Sequence, residues 1–137
     1  MDPVVHFEMP YADAARLARF YESAFGWRMR PLGAVMGDYV LATTVETDEQ
    51  GPKRPGAING GFYPTDPAAK PPCPALTIAV EDLDESTRKV QAAGGRLLGE
   101  PFEIPGVGRY AAFADSEGNR VTMLQPVPRN WHGEKTT

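Results

Sequence analysis

From Val4 to Met9 apolar and polar positions alternate, with Val5, Phe7 and Met9 on one face and Val4, His6 and Glu8 on the other. A period of two predicts a strand with one apolar side and one side that carries ionisable groups. From Asp13 the period lengthens, and Ala14, Leu17, Ala18, Tyr21, Ala24 and Phe25 recur at helical spacing. Asp13 is placed to cap that helix and Gly26 to end it. Strand-like composition returns over residues 27–32 and 38–45, divided by a turn around Gly33 and Gly37, and again over residues 57–63 beyond a Gly/Pro/Lys loop. This first module, residues 4–63, therefore reads β-α-β-β-β.

Residues 64–74 hold five prolines and no periodicity, the composition of a stiff connector. Beyond it the same order comes back. Residues 75–80 alternate, with Leu76, Ile78 and Val80 against Ala75, Thr77 and Ala79. Asp82 and Glu85 form a capping box for a helix that closes at Gly94-Gly95, and residues 96–100, 109–114 and 119–125 read as strands. The last two are joined by the turn Asp115-Ser116-Glu117-Gly118-Asn119. Asp13 matches Asp82, and Gly37-Asp38-Tyr39-Val40 matches Gly108-Arg109-Tyr110-Ala111, at a nearly constant offset of about 70 residues. The chain is thus expected to be a single α+β domain of two βαβββ modules, the second over residues 75–125, with a tail over 126–137. Each module would leave one sheet face uncovered by its helix, so the two are expected to share a cleft.

Composition narrows the function. The chain of 137 residues carries 14 Lys and Arg against 18 Asp and Glu, so it has no basic field for a nucleic-acid backbone. The amino terminus has neither a basic leader nor a long apolar run, so neither a signal peptide nor a membrane span is expected there. Cys73 is the only cysteine, so neither an internal disulfide nor a thiolate metal cluster is available. A cytoplasmic location is expected.

His6-Phe7-Glu8-Met9-Pro10, Phe20-Tyr21, Phe25-Gly26-Trp27, Asn59-Gly60-Gly61 and the Asp115–Asn119 turn together resemble the signature stretches of the glyoxalase/bleomycin resistance/dioxygenase proteins, the vicinal-oxygen-chelate superfamily. The resemblance runs from about Val4 to Gln125 and is nearest to a single-domain subgroup with a His-Phe-Glu strand and a Gly-Val-Gly-aromatic loop, here Gly106-Val107-Gly108-Arg109 and Tyr110. It implies the paired-module fold and a cleft with metal-ligand positions on the first and last strand of each module. His6 matches the first of these. The equivalent position of the second module is Ala75, the carboxylate after the Gly-Asn turn is replaced by Thr122, and the strand around Asn59-Gly60-Gly61 supplies only an amide. No metal and no cofactor are therefore expected.

The candidate ligand-lining residues are His6, Glu8, Tyr39, Asn59, Tyr110 and Thr122, with His6 and Glu8 as the candidate catalytic pair. Side chains at i and i+2 of a strand stand on one face about 6 to 7 Å apart, so His6 and Glu8 can meet one small ligand. Tyr39 and Tyr110 offer ring area with a hydroxyl handle. Gly60-Gly61 permits close approach of a ligand to the backbone, or else marks a bulge or a tight module contact. Residues 103–108 read as a loop, either a lid or a connector. The aromatics Phe20, Tyr21, Phe25 and Trp27 read as core. His132 lies in the tail, and would join His6 and Glu8 only if that tail folded back.

The preferred expectation is a metal-independent protein that binds a small apolar or aromatic molecule. The alternative is a lyase, isomerase or dioxygenase-type enzyme that uses His6 and Glu8, either with a weakly held divalent ion or as a metal-free acid/base catalyst on a carbonyl compound. A third is a structural dimer with an empty cleft. The resemblance implies a homodimer in each case.

Overall fold

The structure is a computed structural model that describes residues 1–66, 68 and 73–128. Cys73 is exposed, and His132 with the rest of the tail from residue 129 lies outside the described residues. The chain divides into two compact units, Val4–Ile78 and residues 1–3 with the chain from 79 onward.

In the Val4–Ile78 unit the elements run β1 (Val4–Tyr11), α1 (Ala14–Phe25), β2 (Arg28–Pro31), β3 (Val40–Thr43), the short pair β4 (Thr47–Asp48) and β5 (Gly51–Pro52), β6 (Asn59–Pro64) and β7 (Ala75–Ala79). The strands lie in the order β2-β3-β6-β1-β7. The helix begins where Asp13 accepts the Arg16 N–H at 2.9 Å, and it ends at Gly26 in the left-handed conformation (φ 70°). Its Leu17 and Tyr21 pack with Phe7, Met9, Tyr11, Trp27 and Met29 on buried Val40, Ala42 and Phe62. The Tyr21 and Trp27 rings stack with centroids 4.5 Å apart.

Several expectations need correction here. Phe20 and Phe25 are 58% and 64% exposed, so only Tyr21 and Trp27 of that aromatic group belong to the core. The helix turns Phe20 and Phe25 away from the sheet, where they make edge-on ring contact with each other. On β7 the alternation holds but burial does not follow it: Leu76, opposite Phe7, is 49% exposed while Ala75 and Thr77 are buried. The Gly/Pro/Lys loop holds the β4–β5 hairpin, and a 3-10 turn, Ala34–Met36, fills the bend before β3.

In the other unit α2 (Leu83–Ala92) is followed by β8 (Arg96–Leu97), β9 (Phe102–Ile104), β10 (Gly108–Ala114) and β11 (Arg120–Pro126). β10 pairs antiparallel with β11 along its whole length, and β8 and β9 both pair with β10. Asp82 accepts the Glu85 N–H at 3.0 Å, one half of the expected capping box, while Glu85 itself pairs with Lys89. Asp84 receives a two-pronged bond from Arg109, which holds its carboxyl below the usual range. The stretch expected as a loop over 103–108 is instead a hairpin, since β9 takes its first part into the sheet and the Val107 N–H closes the turn on Ile104. Gly108 is required there: its φ is 148°, and a Cβ would lie 2.1 Å from the Gln125 carbonyl. Along the chain the order strand, helix and strands returns, with β1 before α1 and β7 before α2, although β7 lies in the sheet of the Val4–Ile78 unit, and the fold is α+β.

Candidate functional site

Register assigns every side chain of the Val4–Ile78 sheet to a face. β1 runs parallel to β6, pairing His6 with Asn59 and Glu8 with Gly61, and antiparallel to β7, pairing His6 with Thr77 and Glu8 with Ala75. β3 sets Leu41 against Gly61, and β2 sets Arg30 against Leu41 and Arg28 against Thr43. Paired residues share a face. One row across the sheet therefore reads Arg30, Leu41, Gly61, Glu8, Ala75, on the side opposite the Phe7, Phe62 and Val40 core.

His6 and Tyr39 meet on that face. The His6 Nε2 lies 2.9 Å from the Tyr39 hydroxyl, with the two rings nearly parallel at 17°. Burial pushes the imidazole below its ordinary value of 6.5, so His6 is neutral near pH 7. Gly61 makes the contact possible: a Cβ there would stand 2.1 Å from the Tyr39 ring. Gly60, on the other face, gives the same freedom to Phe7, whose ring would lie 2.4 Å from an added Cβ. The two glycines thus admit one aromatic ring on each side of β6, and the space expected for backbone approach by a ligand is filled by side chains.

Asn59 is engaged within its own unit. Its Oδ1 accepts the Thr44 N–H at 2.9 Å and its Nδ2 donates to Thr47 Oγ1 at 2.8 Å, which ties the end of β3 to β4. Glu8 stands next to His6 on the face, half-buried, with Gly61 and Ala75 as its register neighbours. The other two candidates, Tyr110 and Thr122, belong to the unit from 79 onward. Thr122 is fully buried and pairs with Ala112, two residues from Tyr110, so both point to one side of the β10–β11 ladder. Tyr110 meets Phe102 with ring centroids 5.1 Å apart. Sequence reasoning missed Gly61 as the residue that seats Tyr39, and it missed Arg28 and Arg30, whose place on this face follows only from the β2–β3 register.

Among the described residues each unit has a hollow of its own. One of about 340 Å³ is bounded by Met1, Pro3, Val80 and Pro126, and one of about 410 Å³ by Tyr11, Asp13, Leu17 and Phe20. Among the described residues no helix is long and apolar enough to cross a membrane.

Repeated strand-helix-strand modules whose polar sheet face carries a histidine on the first strand define the class: an α+β protein of the vicinal-oxygen-chelate fold. Within that class the chain belongs to the glyoxalase-like domain family, which it matches over residues 5–124. It is 38% identical over 66 residues to the putative glyoxylase CFP32 of Mycobacterium tuberculosis, covering 44% of this chain and 25% of that protein. It is 28% identical over 125 residues to the anthracycline biosynthesis protein DnrV of Streptomyces peucetius, covering 82% of this chain and 42% of that one. The chain therefore spans less than half the length of the curated relatives it matches. Among solved structures, the methylmalonyl-CoA epimerase of Mycobacterium tuberculosis superposes with a TM-score of 0.67 at 18% identity, over 91% of this chain and 88% of that one. A variant of the Streptomyces coelicolor methylmalonyl-CoA epimerase bound to 2-nitronate-propionyl-CoA gives 0.67 at 15% identity, over 91% and 97%. These structures share the fold.

Proposed function

We propose that this protein binds a small aromatic or apolar molecule on the His6–Glu8–Tyr39 face, without a metal ion. The observation that carries the reading is the His6–Tyr39 contact, because the one retained ligand position of the fold spends its Nε2 on a phenol rather than on an open coordination site. The donor set does not suit a divalent ion. Asn59 Oδ1 is taken by a backbone N–H, Gly61 offers no side chain, and among the described residues no three His, Cys, Asp or Glu side chains converge. The reading rests on residues of the Val4–Ile78 unit alone. A cytoplasmic location and a homodimer belong to the same proposal. A relative named for anthracycline biosynthesis accords with an aromatic ligand.

The test is the melting temperature of untagged protein against Zn²⁺, Ni²⁺ and Mn²⁺, before and after chelation. No shift is expected, since only an ion that binds the folded state raises the transition by mass action. A rise with stoichiometric metal would overturn the metal-free reading.

The second reading is an acid/base enzyme. A neutral imidazole beside a carboxyl on a half-buried face is the arrangement a general base needs, and this observation favours it. His6→Ala is then expected to abolish turnover of a carbonyl substrate while leaving the fold intact; retained turnover would end this version.

A further inference from the structure

The face that carries His6 changes character from one side of the sheet to the other. At β7 it is closed, with Ala75 and Thr77 buried; at β1 and β3 it is half-buried; at β2 it is open, with Arg28 and Arg30 both exposed. Met29 between them packs into the core, which fixes both arginines on the opposite side, the side of Leu41 and Gly61. Neither guanidinium joins an ion pair or hydrogen bond among the described residues, in a chain where acids outnumber bases 18 to 14.

We propose that Arg28 and Arg30 are the anion-binding end of this site, and that its ligand is an aromatic carboxylic acid. The proposal rests on the binding reading above and names the class of molecule bound. Strands are spaced by about 4.8 Å, so Arg30 lies roughly 10 Å from Gly61 across Leu41. At Gly61 the Tyr39 ring covers the strand and its hydroxyl is turned to His6, so the ring itself forms the inner wall. Between that wall and Arg30 the floor is the side chain of Leu41, apolar and half-buried. One aromatic ring system fits this length, lying on Leu41 with its edge toward Tyr39. Its carboxylate then projects over β2, where two guanidiniums about 6 to 7 Å apart can take it from either side through paired N–H···O bonds. Glu8 stands on the far side of Gly61, so the charge of such a ligand points away from it.

The experiment compares 2-naphthoate with its neutral counterpart 2-naphthalenemethanol. Dissociation constants are taken from amide and side-chain NMR shifts of labelled protein, in the native chain and in the Arg28→Gln/Arg30→Gln double variant. Both substitutions are at exposed positions outside the core. The naphthoate is expected to bind at least tenfold more tightly than the alcohol, with shifts at Tyr39 and Leu41, and this ratio is expected to fall to within twofold in the double variant. Equal affinities in the native chain, or a ratio that survives both substitutions, would overturn the role of the arginines while leaving the binding reading in place. If neither probe moves a resonance on this face, the binding reading fails and the proposal falls with it.

Discussion

At the residue scale the face is organised by one missing methyl group. Gly61 has no side chain, so the Tyr39 ring can lie across β6 and reach His6. Tyr39→Phe keeps the ring and removes the hydroxyl; the loss of one half-buried hydrogen bond is expected to cost about 0.5–1.5 kcal/mol, read by urea denaturation. Gly61→Ala forces the ring aside instead, and the same titration should show a larger loss, about 1–3 kcal/mol. His6 sets a pH dependence. Burial lowers its folded-state pKa below the unfolded value of 6.5, so the folded form binds its proton more weakly. Stability linked to this group is complete above pH 6.5 and is lost as the pH falls through the lower folded value. In His6→Gln the stability curve should flatten over that window, while an unchanged slope would show that His6 is not desolvated. The pairing of His6 with Glu8 on one face was legible from alternation alone. The His6–Tyr39 contact was not, because the two are 33 positions apart and Tyr39 precedes β3, which β6 separates from β1.

At the scale of elements, caps and turns were the most legible features. Asp13 and Asp82 each accept the backbone N–H three residues on, as their spacing predicts. Replacing either with Ala should lower the midpoint of thermal or chemical denaturation, because the helix loses its cap. Apolar periodicity was less reliable, because it marks which residues share a face without saying whether anything covers that face. On α1 it grouped the exposed Phe20 and Phe25 with Tyr21, which packs in the core, and on β7 it set Leu76 on the face of Phe7, where it is 49% exposed. Phe62→Ala should therefore cost about 3–5 kcal/mol, whereas Phe20→Gln should stay within about 0.5 kcal/mol, and comparable losses for the two would contradict the packing.

At the scale of the whole molecule, homodimer formation is expected, and a light-scattering mass near 29.8 kDa, twice the 14.9 kDa of one chain, would support it. A mass near that of one chain would refute it. The sequence by itself determined the repeat, the α+β class and the family, because strand and helix periods, capping residues and an offset between modules are local or self-referential signals. It also sets Ala75 and Thr122 where the resemblance implies metal ligands. Only the tertiary structure decided which face each strand buries, that Asn59 is committed to Thr44 and Thr47, and that Tyr39 occupies the place beside His6. It alone set Arg28 and Arg30 on the same face as Glu8. The physical reason is register: strands distant in sequence are brought side by side, and a shift of one residue in their pairing would turn every one of these side chains to the other face.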